Sequence, residues 1–416
     1  MTESRPPQPS RRLRGWKLAV VIGSTVLLLL IGLIALPFIV ADSFERVVDR
    51  ARAAGIPGSP SETGRQGHPR HLRITGEINT LMRGLLLYQP QYPNTRYYSM
   101  APHTERMRLY RALPAASVIR AEELARELAG TTWEARPLPW SRNYHEFSVC
   151  NLVYLLCDRW VVDQPADPDA DAALLLDAAQ ACDPLWGIRV MALNRVLLVL
   201  RMRLGEITDR VGLAERLRDL AQGLRSEMVR AYEVEFALAA DDLRNPWKAF
   251  KDRGLVIPRW VEIPFALRAV CRLGAARYLG RELDWLTVVR GESDPVALRL
   301  AFIDRHPSER SAAYMIALLL DPDYSSGLRT PTNGFHWKLR WVNSVMPAQC
   351  LAWSLDGQNL PIDLLDPAKA PLRKLERDGR TIALYSVGWD GYDNGGDDKA
   401  DMVWWLEPDP ALPAGL

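Results

Sequence analysis

The chain has 416 residues, 48% of them apolar and 25% charged, with a net charge of +2. That is ordinary globular composition, enough for one large or two moderate domains. So small a charge gives no electrostatic case for nucleic acid as a partner. Only seven of the 52 basic residues are Lys, a bias that fits a GC-rich coding sequence better than a binding surface.

Residues 1–17 form a basic tail, with Arg5, Arg11, Arg12, Arg14 and Lys17 against the single acid Glu3. Leu18 to Val40 then runs for 23 residues without a charged side chain. As a helix it reaches ~34 Å, enough for the ~30 Å hydrocarbon core of a bilayer. The run is too long for the apolar core of a signal peptide, and Ile39-Val40-Ala41 is a poor cleavage site. The basic flank predicts a single-pass anchor in a bacterial inner membrane, with a cytoplasmic N-terminus and the bulk of the chain extracytoplasmic. The lipid bilayer is thus the first expected partner.

Residues 41–75 read as a juxtamembrane helix and linker. Asp42 and Glu45 have capping-box spacing, and Phe44, Val47, Val48 and Ala51 repeat at one helical face. Gly55 is placed to end that helix, and residues 56–70 are rich in Pro, Gly and Ser. Residues 76–355 carry helical periodicity, strongest over Ala115–Ala129, Phe147–Val161, Asp169–Ala181, Trp186–Leu204, Thr208–Leu243, Phe265–Val289 and Pro307–Leu320. Thr208 is a candidate cap for the longest, which Asn245-Pro246 ends. Arg189, Arg195, Arg201 and Arg203 exclude the Trp186–Leu204 segment as a second span and suit a central bundle helix. The expected architecture is mostly α, with helical hairpins in a bundle or a repeat-like stack and a face for a protein partner.

Lys338–Trp353 is a candidate last helix. Residues 356–416 then read as a small β unit, with strands over Pro371–Arg377, Thr381–Ser386 and Met402–Leu406. Asp378-Gly379 is the dipeptide favoured in two-residue type I′ hairpins. Trp337, Trp341, Trp353, Trp389, Trp404 and Trp405 crowd this quarter, where burial would stabilise a small sheet. Cys150, Cys157, Cys182, Cys271 and Cys350 form no C-x-x-C pair and read as buried free thiols; Cys150 and Cys157 stand too far apart along one helix to bond.

The loop between the last two strands carries the chemistry. It holds Asp390, Asp393, Asp397, Asp398, Asp401, Asn394 and four glycines. Close carboxylates repel unless water or a cation separates them. Glycines let the chain turn oxygens inward, and hard anionic oxygens on a flexible loop suit Ca²⁺ better than Mg²⁺. The spacing is not that of an EF-hand. Elsewhere, His68 and His71 lack a third ligand, Glu233 and Glu235 face apart on one helix, and Asp321 with Asp323 suits a turn. No nucleotide-binding or serine-hydrolase motif occurs.

Leu384-YSVGWDG followed by GGDDKAD resembles the C-terminal end of the major pseudopilins of type II secretion. That resemblance implies a structural calcium, with Asp390, Asp398 and Asp401 as side-chain ligands and Asp397 as an alternative to Asp398; Asp393 has no counterpart. A prepilin leader is not matched, since the fifth residue after Gly15 is Val20 rather than Glu. The order of basic tail, span, Arg52-AAGIP, helical region and terminal loop is similar to a group of bacterial membrane-anchored proteins with no assigned activity. The sequence therefore reads as a non-enzymatic, periplasm-facing interaction module with a calcium loop. The rival readings are a cell-envelope enzyme with a cleft in the helical domain, or an accessory of a secretion or pilus-like assembly.

Overall fold

A computed structural model describes residues 20–27, 31, 43–64, 69–86, 103–129, 146–163, 166–182, 188–244, 265–298 and 341–406. Helix accounts for 71% of them, and a three-stranded antiparallel sheet closes the C-terminal end. Of the apolar run, residues 20–27 and 31 are described and helical. No helix among the described residues is long and apolar enough to cross a membrane, and the rest of the run lies outside them. The expected Pro307–Leu320 helix, Asp42 and His68 also lie outside.

Helix α1 covers residues 43–53. Its expected stripe is buried at Phe44, Val48 and Ala51, inside the same core as the rest of the chain. The helix ends in a Schellman motif: Gly55 takes φ +71°, its N–H donates to Arg52 O, and Ile56 N donates to Ala51 O. The expected linker is more ordered than its composition suggests. Ile56 is fully buried, and Pro60–Thr63 form a 3₁₀ turn. Glu62 gathers Arg52, Gly58 N and the Ser59 hydroxyl, and the Arg52 guanidinium pulls its pKa down to about 2. Helix α2, Pro69–Leu86, begins earlier than the expected boundary at residue 76.

The body continues with α3 (His103–Arg111), α4 (Ala115–Ala129), α5 (Glu146–Val162), α6 (Pro168–Ala181), α7 (Ile188–Met202), α8 (Arg210–Arg244) and α9 (Phe265–Gly291). Helix α7 is central, packed on α5, α6 and α10 (Val342–Asp356). Its three arginines, and Arg203 just past its end, each have a task. Arg189 reaches Cys182 O and Glu227; Arg203 holds the last carbonyls of α5 at Trp160 and Val161; Arg201 reaches Trp405 O. Arg195 meets Asp158 at 2.5 Å, and Arg106 from α3 meets the same carboxylate at 2.9 Å. Both guanidinium groups lie over the Tyr154 ring. Cys150, Cys157, Cys182 and Cys350 are free and buried, as expected; the side chain of Cys271 lies outside the described residues.

Helix α8 buries the expected Leu213, Leu217, Leu220, Leu224, Met228 and Ala231. Its cap is Asp209, which accepts from Gly212 N, rather than Thr208. Thr208 instead donates its hydroxyl to Asp169 near the start of α6. Helix α10 packs along α8, and Arg218 meets Asp356 at 2.8 Å. The sheet has order β1-β2-β3, from Arg373–Arg377, Arg380–Ser386 and Met402–Trp405. Asp378 and Gly379 both have positive φ, 53° and 75°, as the type I′ turn requires. Leu372 and Leu384 belong to the helical core, so the β unit is docked rather than separate. Trp341 is buried, while Trp353, Trp389, Trp404 and Trp405 are half-buried; Trp337 lies outside the described residues.

Replacing Asp158 by Ala leaves two buried guanidinium groups without their shared carboxylate. The expected loss is about 3–5 kcal/mol in urea denaturation of the full chain in detergent. A loss under about 1 kcal/mol would mean that α3, α5 and α7 are held by apolar packing alone.

Candidate metal site in the acidic loop

Strands β2 and β3 pair up to Ser386↔Met402, so residues 387–401 form a closed loop on a fixed base. Beneath the base lies Asp363, fully buried. Its carboxylate accepts from Ser386 Oγ at 2.6 Å, Val387 N at 3.0 Å and Leu365 N at 2.9 Å, with Arg373 at 3.5 Å. These contacts fix where the loop leaves the sheet. Gly388, Gly391, Gly395 and Gly396 all take positive φ, which turns the chain four times in nine residues.

Asp401 is buried at the closing end. Its Oδ2 accepts from Gly396 N at 2.7 Å and from Asn394 N at 3.2 Å. Asp390 is exposed and accepts from Tyr392 N at 3.0 Å. Between these two carboxylates stands the Asn394 amide. Its Nδ2 lies 3.3 Å from Asp390 Oδ2, 3.4 Å from Asp401 Oδ1 and 3.1 Å from Tyr392 O. Two anionic oxygens and one carbonyl thus converge on a single donor position. An amide presents nitrogen or oxygen by a half-turn of its plane, so Asn394 can meet a cation with Oδ1 where it now meets carboxylates with Nδ2.

The other expected ligands are used differently. Asp393 accepts from Gly395 N at 2.9 Å, pairs with Arg373 Nε at 2.7 Å, and accepts from the Tyr385 hydroxyl at 3.3 Å. The Gly395 N–H and then the Arg373 charge hold its carboxyl below the usual range, while burial and Asp393 push the Tyr385 phenol up. Asp397 takes the Lys399 N–H on its side chain, and its carbonyl accepts from Asp401 N. Asp398 is exposed. Among the described residues, no group of three Asp, Glu, His or Cys converges as a ready metal site. The set that does converge is Asp390, Asp401 and the Tyr392 carbonyl.

Asp363 and Arg373 escaped the sequence reading. Asp363 carries a usable signal, a lone acid between Ile362 and Leu364-Leu365; Asp158, within an apolar helix, carries the same one. One cleft of ≈ 180 Å³, between α7, α10 and β3, is lined without Asp, Glu or His. Glu233 pairs with Arg290 across α8 and α9 at 3.2 Å.

A Cβ on Gly388 would lie 2.3 Å from Ala400 O, and its φ is +69°. Gly388→Ala should therefore pry the loop's two ends apart, costing more than the ~1–2 kcal/mol of left-handed strain alone. Gly395→Ala, with φ +73° and nothing within 4 Å, should cost that strain only. Equal melting points for the two variants would overturn this account of the loop base.

Compared with known proteins, the chain matches no family model, no curated protein and no solved structure.

Proposed function

We propose that this chain is a single-pass membrane protein that holds a helical interaction module, with a calcium-stabilised β unit, on the extracytoplasmic side of a bacterial inner membrane. The observation that carries the reading is the burial of α1. Residue 43 follows the apolar run after two residues, and Phe44, Val48 and Ala51 are already part of the core. Arg244 clasps Glu45 at 2.8 Å, Arg50 meets Asp284 at 3.1 Å, and Arg290 reaches Ala54 O. In the chain, the packed body thus begins two residues after the apolar run ends.

The described part of the run supports a lipid environment. Val20, Val21, Ile22, Val26 and Leu27 are all about half exposed, on every side of the helix. Ser24 and Thr25 return their hydroxyls to Val20 O and Val21 O, which hides the polar groups from hydrocarbon. Helix α8 starts from Arg210 and ends at Arg244 beside α1, and its 35 residues extend ~52 Å. Its Arg218 holds Asp356 at the end of α10, so the β unit attaches near the end of α8 away from the anchor.

Calcium is proposed at the point where Asp390, Asp401 and Tyr392 O converge, with Asn394 turning its amide oxygen inward and water completing the six to eight ligands typical of this ion. The site is structural, and it would replace the weak donor Asn394 Nδ2 with a divalent charge.

For topology, an alkaline phosphatase fused after Leu416 should be active, because it folds only outside the cytoplasm. Activity only from a cytoplasm-specific reporter would reverse the orientation. For the metal, the full chain in detergent should melt higher in calcium than in chelator, by ~2.7 kcal/mol at a hundredfold excess over Kd. Magnesium should substitute poorly. The informative variant is Asp390→Ala, because Asp401 also holds the Gly396 and Asn394 N–H groups and its loss destabilises the loop with or without metal. Asp390→Ala should abolish the calcium response and leave the chelated protein near its parent stability. An unchanged melting point across chelator and millimolar calcium would end the calcium assignment.

A further inference from the structure

The two outer strands of the sheet are guarded differently. β1 carries charge at four of its five positions, Arg373, Lys374, Glu376 and Arg377, and its register shifts between Leu375 and Glu376. Charges and a bulge keep an edge from pairing with another chain. β3 reads Met402-Val403-Trp404-Trp405, with no charge, no proline and no shift of register against β2. Its hydrogen-bonding phase is set by Leu406 N, which donates to Ile382 O at 2.9 Å. In an antiparallel ladder that phase points the backbone groups of Met402, Trp404 and Leu406 toward β2. The N–H and C=O groups of Val403 and Trp405 therefore point outward. Trp405 O accepts from Arg201 Nη1 at 3.3 Å and keeps a second lone pair. The other three outward groups have no partner among the described residues. Beside them, α7 and α10 leave the cleft of ≈ 180 Å³ that borders Trp404, Trp405 and Leu406.

We propose that a second copy of the chain docks on this edge, β3 against β3, as an antiparallel pair with its two-fold axis at Trp404. The edge is self-complementary in that register. Val403 of one copy and Trp405 of the other exchange both N–H···O=C bonds, and symmetry repeats the exchange. Every outward group of both strands is then used. On the outer face Val403 lies opposite the second copy's Trp405, an apolar cross-strand pair formed twice. Charge favours the same occupant. β3 begins at the loop 387–401, which holds five aspartates against Lys399, with Asp397 and Asp398 exposed. It ends beside the hairpin of β1 and β2, where Arg377 and Arg380 are exposed. Antiparallel pairing sets the acidic end of each sheet beside the basic end of the other. Asp397 and Asp398 are not among the proposed calcium ligands, so the docking does not rest on the metal.

The test is the oligomeric state of the full chain in detergent, read by sedimentation over a range of concentrations. The parent should pass reversibly from monomer to dimer as concentration rises. Val403→Pro removes an N–H that β2 does not use, so the monomer should keep its far-ultraviolet spectrum. The same change deletes two of the four bonds between the copies, and should weaken the dimer roughly tenfold or more. A second variant reads the register directly. Trp404→Cys sets two thiols across the axis in a non-hydrogen-bonded pair, with Cα atoms ~4.5 Å apart and within reach of a disulfide. Mild oxidation should link two chains of this variant well beyond the level seen for the parent. A parent that stays monomeric throughout overturns the proposal. So does a dimer as tight in Val403→Pro as in the parent, or a Trp404→Cys chain left unlinked where the parent is dimeric.

Discussion

Asp158 is fully buried and shared by two guanidinium groups, Arg106 from α3 and Arg195 from α7. A carboxylate in such a place is tolerable only because both charges reach it with hydrogen-bonding geometry. The consequence is positional: α3, α5 and α7 meet where those three side chains meet, and Tyr154 shields the cluster from the side. The other two arginines of α7, and Arg203 just past its end, extend the same logic outward. Arg203 closes the end of α5, Arg189 ties α7 to the turn after α6, and Arg201 touches the sheet. A helix that is apolar nearly all round could have settled in several registers. Three fixed cations on the helix, and Arg203 at its end, select one.

The β unit repeats the device on a smaller scale. Asp363 draws together the Ser386 hydroxyl and the N–H groups of Val387 and Leu365. Arg373 then links that buried carboxylate to Asp366 and to Asp393 in the loop. One guanidinium thus answers three carboxylates, and it removes Asp393 from the set available to a metal. What remains at the loop centre, Asp390 and Asp401, is held apart by a neutral amide. Under the calcium proposal, such an arrangement would spare the empty loop a strong repulsion between its two central carboxylates.

Much of the fold was legible because its signals are local. Helix Ala115–Ala129 has the expected bounds, α8 buries the expected leucines, and the Asp378-Gly379 hairpin is a type I′ turn. In each case the cause lies within a few residues of the effect: a periodic apolar face, or a dipeptide that tolerates positive φ. The errors were those of long-range partners. Thr208 had the chemistry of a cap, but Asp169 claimed its hydroxyl and Asp209 took the role. Residues 56–64 had the composition of a linker, but Arg52 and the buried Ile56 gave them a place to pack.

The acidic loop divides along the same line. By itself the sequence determined that carboxylates and glycines would be concentrated between two strands, and that each of its glycines could take the positive φ it does take. It also determined an apolar run long enough for a bilayer, placed behind a basic tail. It did not determine which carboxylates converge. That depended on Arg373, seventeen or more residues before every aspartate in the loop in chain order, and on Asp363, both brought under the loop by the docking of β1 and β2 on the helical core. Spacing along a chain fixes which groups are near in the backbone. Only packing decides which charge is answered by a counter-charge and which is left for a ligand.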